Sequence, residues 1–412
     1  MNKDENTNIY TSIKDQANLP RYFRRIFKIL LNLKVGSVEV KLPDERIFKV
    51  VGETKGLNAR IDIIDPDCFA RLVRDGDIGF MEAYMDGQWS SPDLQSFMDV
   101  TFQNFHQLAT RFPGAGLVKL YEKIRHWLNS NSKRQAKKNI SYHYDLGNDF
   151  YKLWLDETMT YSSALFKKKR ETLSDAQTNK YAQMCDEIGV KEGDNILEIG
   201  CGWGGFAEYA AGQRGANVKG LTISQEQHDF AVERIKKAGL SDKVEIVMQD
   251  YRDEVNKYDG IASVEMFEAV GEKYWPIYFD KVNSCLKAGA KATLQIITIP
   301  EDRFNDYRNS VDFIQKYIFP GGMLPTETIL KNEMKRVGLE YNNTIEFRKS
   351  YSETLRQWFG TFNSKWQDIS EMGFDDRFRR MWNIYLTSCA SAFEFDRTGL
   401  IQITMIKPKY KL

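Results

Sequence analysis

The sequence has few cysteines and histidines and no excess of charge of either sign. Its five cysteines are scattered without any CxxC pair, which predicts free thiols in a reducing compartment. Its four histidines are too widely spaced to suggest a histidine-rich metal site, and we predict no metal. The 58 Lys and Arg balance 57 Asp and Glu, so the overall charge gives no indication of nucleic-acid binding.

Long hydrophobic runs are also missing. No apolar run approaches the ~18 residues that a membrane-spanning helix needs. The opening residues MNKDENTNIY lack the apolar centre of a signal peptide. We therefore expect a cytoplasmic protein. The 412 residues and the 42% hydrophobic content predict two domains with buried cores.

The character of the sequence changes along the chain. We predict a polar segment with an amphipathic basic helix (1–34), a small α+β domain (35–128), a basic linker (129–139) and a larger domain (140–412). In the basic helix, Ile26, Ile29, Leu30 and Leu33 share one stripe. This helix either docks on the protein's own core, which we favour, or lies at an anionic lipid surface.

The larger domain alternates predicted strands with predicted helices. Such alternation is typical of an α/β doubly wound, mostly parallel sheet. The last two strand candidates, near 340–348 and 400–406, are expected to close the sheet as an antiparallel pair. The five earlier strand candidates are 195–200, 216–223, 243–250, 258–265 and 291–299.

The strongest local motif is the glycine-rich stretch LEIGCGWGG. Gly200, Gly202 and Gly205 satisfy GxGxxG directly after a strand and before a helix, where backbone can approach a ligand closely. A nicotinamide site would want an acidic residue at the end of the second strand, but that strand ends Thr-Ile-Ser-Gln at 222–225. The residues Leu197-Glu198-Ile199-Gly200 also resemble the first motif of class I S-adenosylmethionine methyltransferases, and we therefore favour a methyltransferase over a dehydrogenase.

Several further segments resemble the cyclopropane-fatty-acyl-phospholipid synthase family, which includes the mycolic acid cyclopropane synthases. The resemblance covers essentially all of 140–408, and it extends more loosely to the N-terminal domain. It implies a class I methyltransferase fold that uses S-adenosylmethionine. The segments are ISYHYDLGNDFYKLWLDETMTYSSALF (140–166), EIGCGWGG, GLTISQEQ (220–227), MFEAVG (266–271) and KYIFPGGMLP (316–325).

The resemblance also implies a set of residues that contact S-adenosylmethionine. They lie in TYSSALF, in the glycine loop, in GLTISQEQ and after the third strand of the larger domain. The pair at 251–252 stands where the family uses a different pair. The implied residues are Tyr161, Ser162, Gly200, Gly202, Thr222, Gln227, Tyr251 and Arg252.

The family's chemistry needs a base after methyl transfer, because a proton must leave before a ring can close. The resemblance implies a bound bicarbonate as that base, held by Glu268, Tyr351 and the backbone at Ser163 and Ile299. A general base must lie within hydrogen-bond reach of its proton. We expect His143 to cap a helix beside the cofactor rather than to act as a base.

Three positions depart from the family pattern. Ser163 stands where the family usually has cysteine, which is tolerable because the backbone is used. Ile297 replaces the family histidine in IITI, so one partner of the bicarbonate is missing. Glu265 stands where many members have glycine, and we interpret it as a strand-end carboxylate that meets solvent or a basic neighbour.

The resemblance implies methyl transfer from S-adenosylmethionine to the double bond of an unsaturated acyl chain in a membrane phospholipid, giving a cyclopropane. Three alternatives stay open: methyl transfer without ring closure, a small-molecule N-methyltransferase, and a non-catalytic lipid-binding protein. Basic runs at 133–138 and 167–170 predict a peripheral enzyme at the anionic inner face of the membrane. The resemblance also implies a homodimer.

Overall fold

The computed structural model describes residues 9–108 and 146–409. The predicted linker, His143 and the basic run at 133–138 lie outside the described residues. By its contacts the chain divides into two compact units. The first is the described part of Met1–Ile124 with Gly373–Phe395, and the second is the described part of Arg125–Met372 with Asp396–Leu412.

The first unit contains a mixed five-stranded sheet in the order β1-β3-β2-β4-β5. Strand β2 pairs antiparallel with β3 and parallel with β4. Residues 67–85 form one helix that is interrupted at Gly76, where φ is +68°. The elements are β1 (Ile9–Tyr10), α1 (Phe23–Leu30), β2 (Val35–Lys41), β3 (Ile47–Val51), β4 (Thr54–Ile63), α2 (Asp67–Met85), β5 (Trp89–Ser90), α3 (Leu94–Gln103) and α4 (Phe105–Leu108).

Helix α1 is the predicted amphipathic basic helix, and its apolar face is buried. The ring of Phe23 lies 5.0 Å from that of Phe48 in β3 and 5.4 Å from that of Phe69 in α2. Ile26 and Ile29 are buried beside it. The helix therefore docks on the protein's own core, as we favoured, and its apolar side is not presented to a lipid surface.

The second unit is built on a seven-stranded sheet in the order β11-β12-β10-β9-β6-β7-β8. Strands β6 to β10 pair in parallel, and β12 runs antiparallel to both β10 and β11. The class I doubly wound fold with an antiparallel C-terminal strand is thus confirmed. The strands are β6 (Asn195–Ile199), β7 (Asn217–Thr222), β8 (Val244–Met248), β9 (Tyr258–Val264), β10 (Leu286–Thr298), β11 (Glu340–Glu346) and β12 (Gly399–Ile406).

Helices follow most of these strands, and two buried apolar clusters pack around the sheet. The strand order reverses at β6, which lies between β7 and β9. In open α/β sheets the crevice at such a reversal, outside the carboxyl ends of the strands, is where ligands bind. The helices are α5 (Asn148–Trp154), α6 (Leu173–Ile188), α7 (Gly205–Arg214), α8 (Gln225–Lys237), α9 (Trp275–Cys285), α10 (Glu301–Arg308), α11 (Phe313–Tyr317), α12 (Glu327–Arg336), α13 (Arg348–Ser364) and α14 (Trp366–Glu371).

The remaining helix, α15 (Asp376–Glu394), belongs to the first unit although it follows most of the second in sequence. Within that unit, Ser391 donates to Asp99 of α3 at 2.7 Å and receives a hydrogen bond from Gln95 at 3.0 Å. Arg377 donates to Asp86 at 3.0 Å. The predicted domain of 140–412 included this helix, whereas its polar contacts tie it to α2 and α3. The other predicted boundaries stay predictions.

Candidate active site

The glycine loop connects β6 to α7 in a left-handed course. The φ angles are +81° at Gly200, +51° at Gly202 and +82° at Gly204, a region that glycine adopts without strain. The backbone amides of Gly200 and Cys201 both donate to the carbonyl of Leu221, at 3.0 and 2.8 Å. The loop is therefore fixed to β7 at the point where the strand order reverses.

Two of these glycines have different surroundings. A Cβ at Gly200 would lie 2.6 Å from Cγ of Met266, so the protein itself fills that space. A Cβ at Gly202 would meet nothing within 4 Å. The Gly202 backbone thus borders open space at the ligand-binding edge of the sheet. This geometry fits a cofactor that approaches the loop backbone closely, as the sequence predicts for S-adenosylmethionine.

Thr222 and Gln227, the predicted ribose contacts, lie together. Thr222 at the end of β7 donates to Oε1 of Gln227 at 3.0 Å, and the amide of Ser224 donates to the Thr222 hydroxyl at 3.2 Å. Both side chains are buried. These neutral polar groups occupy the place where a nicotinamide enzyme would carry an acid, so their geometry agrees with the methyltransferase interpretation.

Tyr251 and Arg252 form a short 3-10 helix after β8. The Arg252 guanidinium donates twice to the carboxylate of Asp250, at 2.8 and 2.6 Å. The ring of Tyr251 packs edge-on against Tyr278 at 5.3 Å. These two side chains are held by neighbours in the protein, and their predicted role as cofactor contacts stays a prediction.

Tyr161, a predicted cofactor contact, lies within an aromatic cluster. Its ring centroid is 5.4 Å from Tyr151, 5.6 Å from Trp154 and 5.4 Å from Trp358. Trp154 and Trp358 are fully buried. Aromatic faces attract cations. The cluster therefore suits a site in which a sulfonium and a positively charged carbon appear in turn.

The neighbouring Ser162 receives a 2.6 Å hydrogen bond from the ammonium of Lys180 in α6. Lys180 is completely buried. Burial lowers the pKa of Lys180 to about 7, against the opposing effect of the nearby carboxylates of Glu265, Asp156 and Glu198. Nothing in the sequence distinguishes Lys180 from other lysines on a helix, and only the fold brings it to the site.

Glu265 lies directly after β9, and its carboxylate is the centre of the hydrogen-bond network. The Ser163 amide donates to Oε1 at 2.9 Å, and Nε2 of Gln295 donates to the same oxygen at 2.7 Å. The Tyr351 hydroxyl donates to Oε2 at 2.6 Å. The predicted basic neighbour is present as Lys180, but these three donors show that Glu265 is built into the site.

The backbone and the pKa of Glu265 are both unusual. Its φ of +46° places it in the left-handed region that favours glycine. Burial raises the pKa of its carboxyl, while Lys180 and the three hydrogen-bond donors oppose that rise. The carboxylate is therefore partly shielded from bulk water and surrounded by groups that favour its ionised form.

Glu268 is the second carboxyl of the site, and its environment differs from that of Glu265. Its Oε1 accepts one hydrogen bond, from the amide of Ile297 at 2.5 Å, and its buried Oε2 accepts none from any described residue. Burial, and then repulsion from Glu265, raise its pKa to about 8. When two carboxyls share a site, the less stabilised one keeps its proton. Glu268 is thus the neutral member of the pair at pH 7.

Three of the four groups predicted to hold bicarbonate are hydrogen-bonded to other groups of the protein. The Ser163 amide and the Tyr351 hydroxyl donate to Glu265. The amide of Ile299 donates to the carbonyl of Pro325 at 3.0 Å. The residues present therefore do not fit a bicarbonate, because a side-chain carboxylate already occupies its donors.

Lys167, Lys168 and Lys169 are exposed. Among the described residues, no group of His, Cys, Asp or Glu is arranged to hold a metal ion. Within the same part of the chain, no helix has the length and apolarity to cross a membrane.

The chain is similar in sequence and in structure to several known proteins. The family model for mycolic acid cyclopropane synthetase matches residues 131–403. The tuberculostearic acid methyltransferase UfaA1 of Mycobacterium tuberculosis is 38% identical over 362 residues, which is 83% of this chain and 82% of the relative. The cyclopropane-fatty-acyl-phospholipid synthase of Escherichia coli K12 is 35% identical over 385 residues, 89% of this chain and 94% of the relative. The crystal structure of mycolic acid cyclopropane synthase CmaA1 complexed with SAH and CTAB superposes with a TM-score of 0.62 at 26% identity, over 65% of this chain and 97% of that one.

Proposed function

The chain belongs to the mycolic acid cyclopropane synthetase family of S-adenosylmethionine-dependent methyltransferases, and from that premise we propose its reaction. The enzyme transfers a methyl carbon to the double bond of an unsaturated fatty acyl chain in a membrane phospholipid. The observation that carries this proposal is the set of groups at the reversal of the strand order. An open glycine loop after β6 and a bonded carboxylate after β9 lie at adjoining strand ends. The aromatic cluster includes Tyr161, two residues before Ser163, whose amide donates to that carboxylate.

Each group has a part in such a reaction. S-adenosylmethionine, when bound, supplies an electrophilic methyl group on a positively charged sulfur. The Gly202 backbone admits the cofactor closely, and the Thr222 and Gln227 side chains offer hydrogen bonds without a competing negative charge. The rings around Tyr161 stabilise positive charge where it develops on the acyl chain.

The product depends on how the positive charge is discharged after methyl transfer. Loss of a proton from the new methyl group, with its electron pair closing onto the charged carbon, gives a cyclopropane. This is the product that the name of the Escherichia coli relative states, and it is our first candidate. It requires a base beside the new methyl group.

A methyl-branched unsaturated chain is the second candidate. Ile297 offers only its amide to the network, and that amide is engaged by Glu268, so no imidazole assists deprotonation. If a hydrogen migrates to the charged carbon before the proton leaves, the product keeps a double bond. The relative with 38% identity is named a methyltransferase, not a cyclopropane synthase.

The experiment is product analysis with purified enzyme. The enzyme is incubated with S-adenosylmethionine carrying a labelled methyl group and with vesicles of monounsaturated phospholipid. Mass spectrometry then detects transfer, and proton NMR separates the high-field ring protons of a cyclopropane from the vinyl protons of a branched alkene. Label in the acyl chain supports the proposal. Label only in a small amine points to an N-methyltransferase, and cofactor binding without any transfer points to a lipid-binding protein.

We also propose that the enzyme works as a peripheral protein on an anionic leaflet. The exposed lysines Lys167, Lys168 and Lys169 support this, since each contributes about 1 kcal/mol of attraction near such a surface. Replacing all three with Gln is expected to weaken sedimentation with anionic vesicles at low salt and to leave neutral vesicles unaffected. Equal changes on both vesicle types would identify a solvated surface. The cytoplasmic location and the homodimer stay predictions.

A further inference from the structure

We propose that Glu265 is the general base of the reaction and replaces the bicarbonate that the family resemblance implies. This inference rests on the proposed function, because it concerns the proton lost after methyl transfer to the acyl double bond. The bicarbonate site implied by the resemblance also disagrees with the structure, because the Ser163 and Tyr351 donors predicted to hold that anion bond to a side chain of this protein.

The first support is geometric. Ser163 and Tyr351 were predicted to bind the base, and both donate to the Glu265 carboxylate. Gln295 adds a third donor, and its own amide oxygen accepts from Gln402 at 3.1 Å, which directs Nε2 toward Glu265. The carboxylate thus accepts hydrogen bonds from two of the donors predicted for the external base, and Gln295 is a third donor.

The second support is the backbone at Glu265. A residue with a side chain rarely adopts a φ of +46°, and glycine does so without strain. Strained conformations persist where the surrounding structure demands them, and they concentrate at active sites. Here the strain directs a carboxylate from the carboxyl end of β9 into the crevice, and the three donors compensate it.

All bonds and electrons of the reaction are accounted for when Glu265 is the proton acceptor. The alkene electron pair forms a bond to the methyl carbon, and the sulfur–carbon electrons return to sulfur. The adjacent acyl carbon becomes positive. A carbon–hydrogen bond of the transferred methyl group then breaks, its electron pair forms the third ring bond to the positive carbon, and the proton passes to the Glu265 carboxylate. Release of that proton to solvent restores the enzyme.

Glu268 is less suited to this step. Its pKa is raised to about 8, so it carries a proton at neutral pH and cannot accept another. It also lacks the tyrosine and the glutamine amide that bond to Glu265. The two carboxyls have different environments, and in known enzymes such a difference separates the base from its neutral neighbour.

The test uses bicarbonate as the probe, with full-length wild type, Glu265→Gln and Glu265→Gly. Product formation is measured in carbon-dioxide-depleted buffer with and without added bicarbonate, and S-adenosylhomocysteine binding is measured by calorimetry. We expect wild type to be independent of bicarbonate. Glu265→Gln is expected to lose ~10²–10⁴-fold in rate, the usual contribution of a positioned base, with unchanged binding. Glu265→Gly frees the donors and is expected to become bicarbonate-dependent.

The matched control is Glu245→Gln, an exposed residue in β8, which is expected to behave as wild type. The proposal is overturned if wild type stops turning over without bicarbonate, or if Glu265→Gln keeps its rate. A folded Glu265→Gly variant that binds the cofactor but is not rescued would also contradict it. If wild type methylates no acyl chain at all, the proposed function fails instead, and the two failures are distinguishable.

Discussion

The crevice of the second unit has two halves that are built differently. The cofactor half, residues 199–227, is a nearly continuous stretch of chain that runs from the end of β6 to the start of α8. The base half consists of Ser163, Glu265, Gln295 and Tyr351, which come from four separate segments. The cofactor half consists of glycine backbone and two neutral side chains, whereas the base half is arranged around one carboxylate. Loss of a single side chain is therefore expected to have different consequences in the two halves.

This difference extends to charge. In the cofactor half, the ligand-facing groups are glycine backbone and neutral hydroxyl and amide groups. Beside the base half, the charge of Glu265 acts to raise the pKa values of Lys180 and Glu268, and Lys180 acts to lower the pKa of Glu265. Changes in the first half should alter binding, and changes in the second should alter rates and pH dependence.

The largest effect is expected in the cofactor half, from Gly202→Val. Its φ of +51° is unfavourable for a β-branched residue, and the new side chain would project into the open space that the cofactor needs. We expect no measurable binding of S-adenosylhomocysteine by calorimetry and no turnover. The control is Gly212→Ala in α7, whose Cβ would meet only Leu240 at an ordinary 3.6 Å. Normal affinity in a folded Gly202→Val protein would refute the cofactor assignment.

A smaller effect, confined to rate, is expected in the base half from Tyr351→Phe. The variant loses a hydrogen bond to a carboxylate, worth ~1.5–3 kcal/mol, which corresponds to a rate about 10- to 100-fold lower. Cofactor affinity should not change. Tyr341→Phe, at an exposed tyrosine, is the control. A matching loss of cofactor affinity would show that the two halves are not separable.

The same variant should also move the pH profile. A general base works when ionised, so the rate falls as pH falls through the pKa of Glu265. The groups that face this carboxylate are Lys180, Gln295, Tyr351 and Glu268, and the hydrogen bond from Tyr351 lowers its pKa. Removing that donor raises the pKa, so the acid limb of the profile should move to higher pH. An unmoved limb would indicate that Tyr351 does not act on the base.

The main effect expected from Glu268→Gln concerns stability and not rate. The pKa of Glu268 rises from the ordinary 4.5 to about 8 on folding, so the folded protein favours the protonated form. Its contribution to the free energy of unfolding is present below the unfolded pKa and is lost as pH rises through about 8. Gln imitates the protonated form at every pH. The free energy of unfolding of the variant, relative to that of wild type, should therefore increase as pH rises from acid to alkaline values.

Urea unfolding at about pH 5 and about pH 9 measures this gain. The control is again Glu245→Gln, which should show the same difference from wild type at both pH values. A pH-independent difference for Glu268→Gln would mean that this carboxyl is already ionised at acid pH. The Glu268→Gln variant should lose less turnover than Glu265→Gln, because the predicted donors Ser163 and Tyr351 bond to Glu265 and not to Glu268.

The cofactor half was predictable because its evidence is local. The glycine loop, Thr222 and Gln227 lie within one stretch of sequence, and strand periodicity located β6 to β12 within a few residues. The base half was not predictable in the same way. The partners of Glu265 lie 102, 30 and 86 residues away, so its hydrogen bonds depend on the fold. Without those partners, the sequence indicates only a carboxylate at a strand end that meets solvent or a basic neighbour.

The charge environment of Lys180 was likewise not predictable from the sequence. Its sequence context is an ordinary helix, and burial against three carboxylates is a property of the packed unit alone.

The position of α15 has a consequence for how the protein is made. A ribosome delivers the chain from its N-terminus, and domains tend to fold as they emerge. The first unit needs α15 for the contacts of Asp99 and Asp86, yet residues 125–372 are synthesised before that helix. The contacts of α2 and α3 with α15 therefore cannot form until all strands of the methyltransferase sheet except β12 have been synthesised. Until then, the sides of α2 and α3 that contact α15 lack this partner. Nascent-chain proteolysis should find this unit protected only after residue 394 has left the exit tunnel.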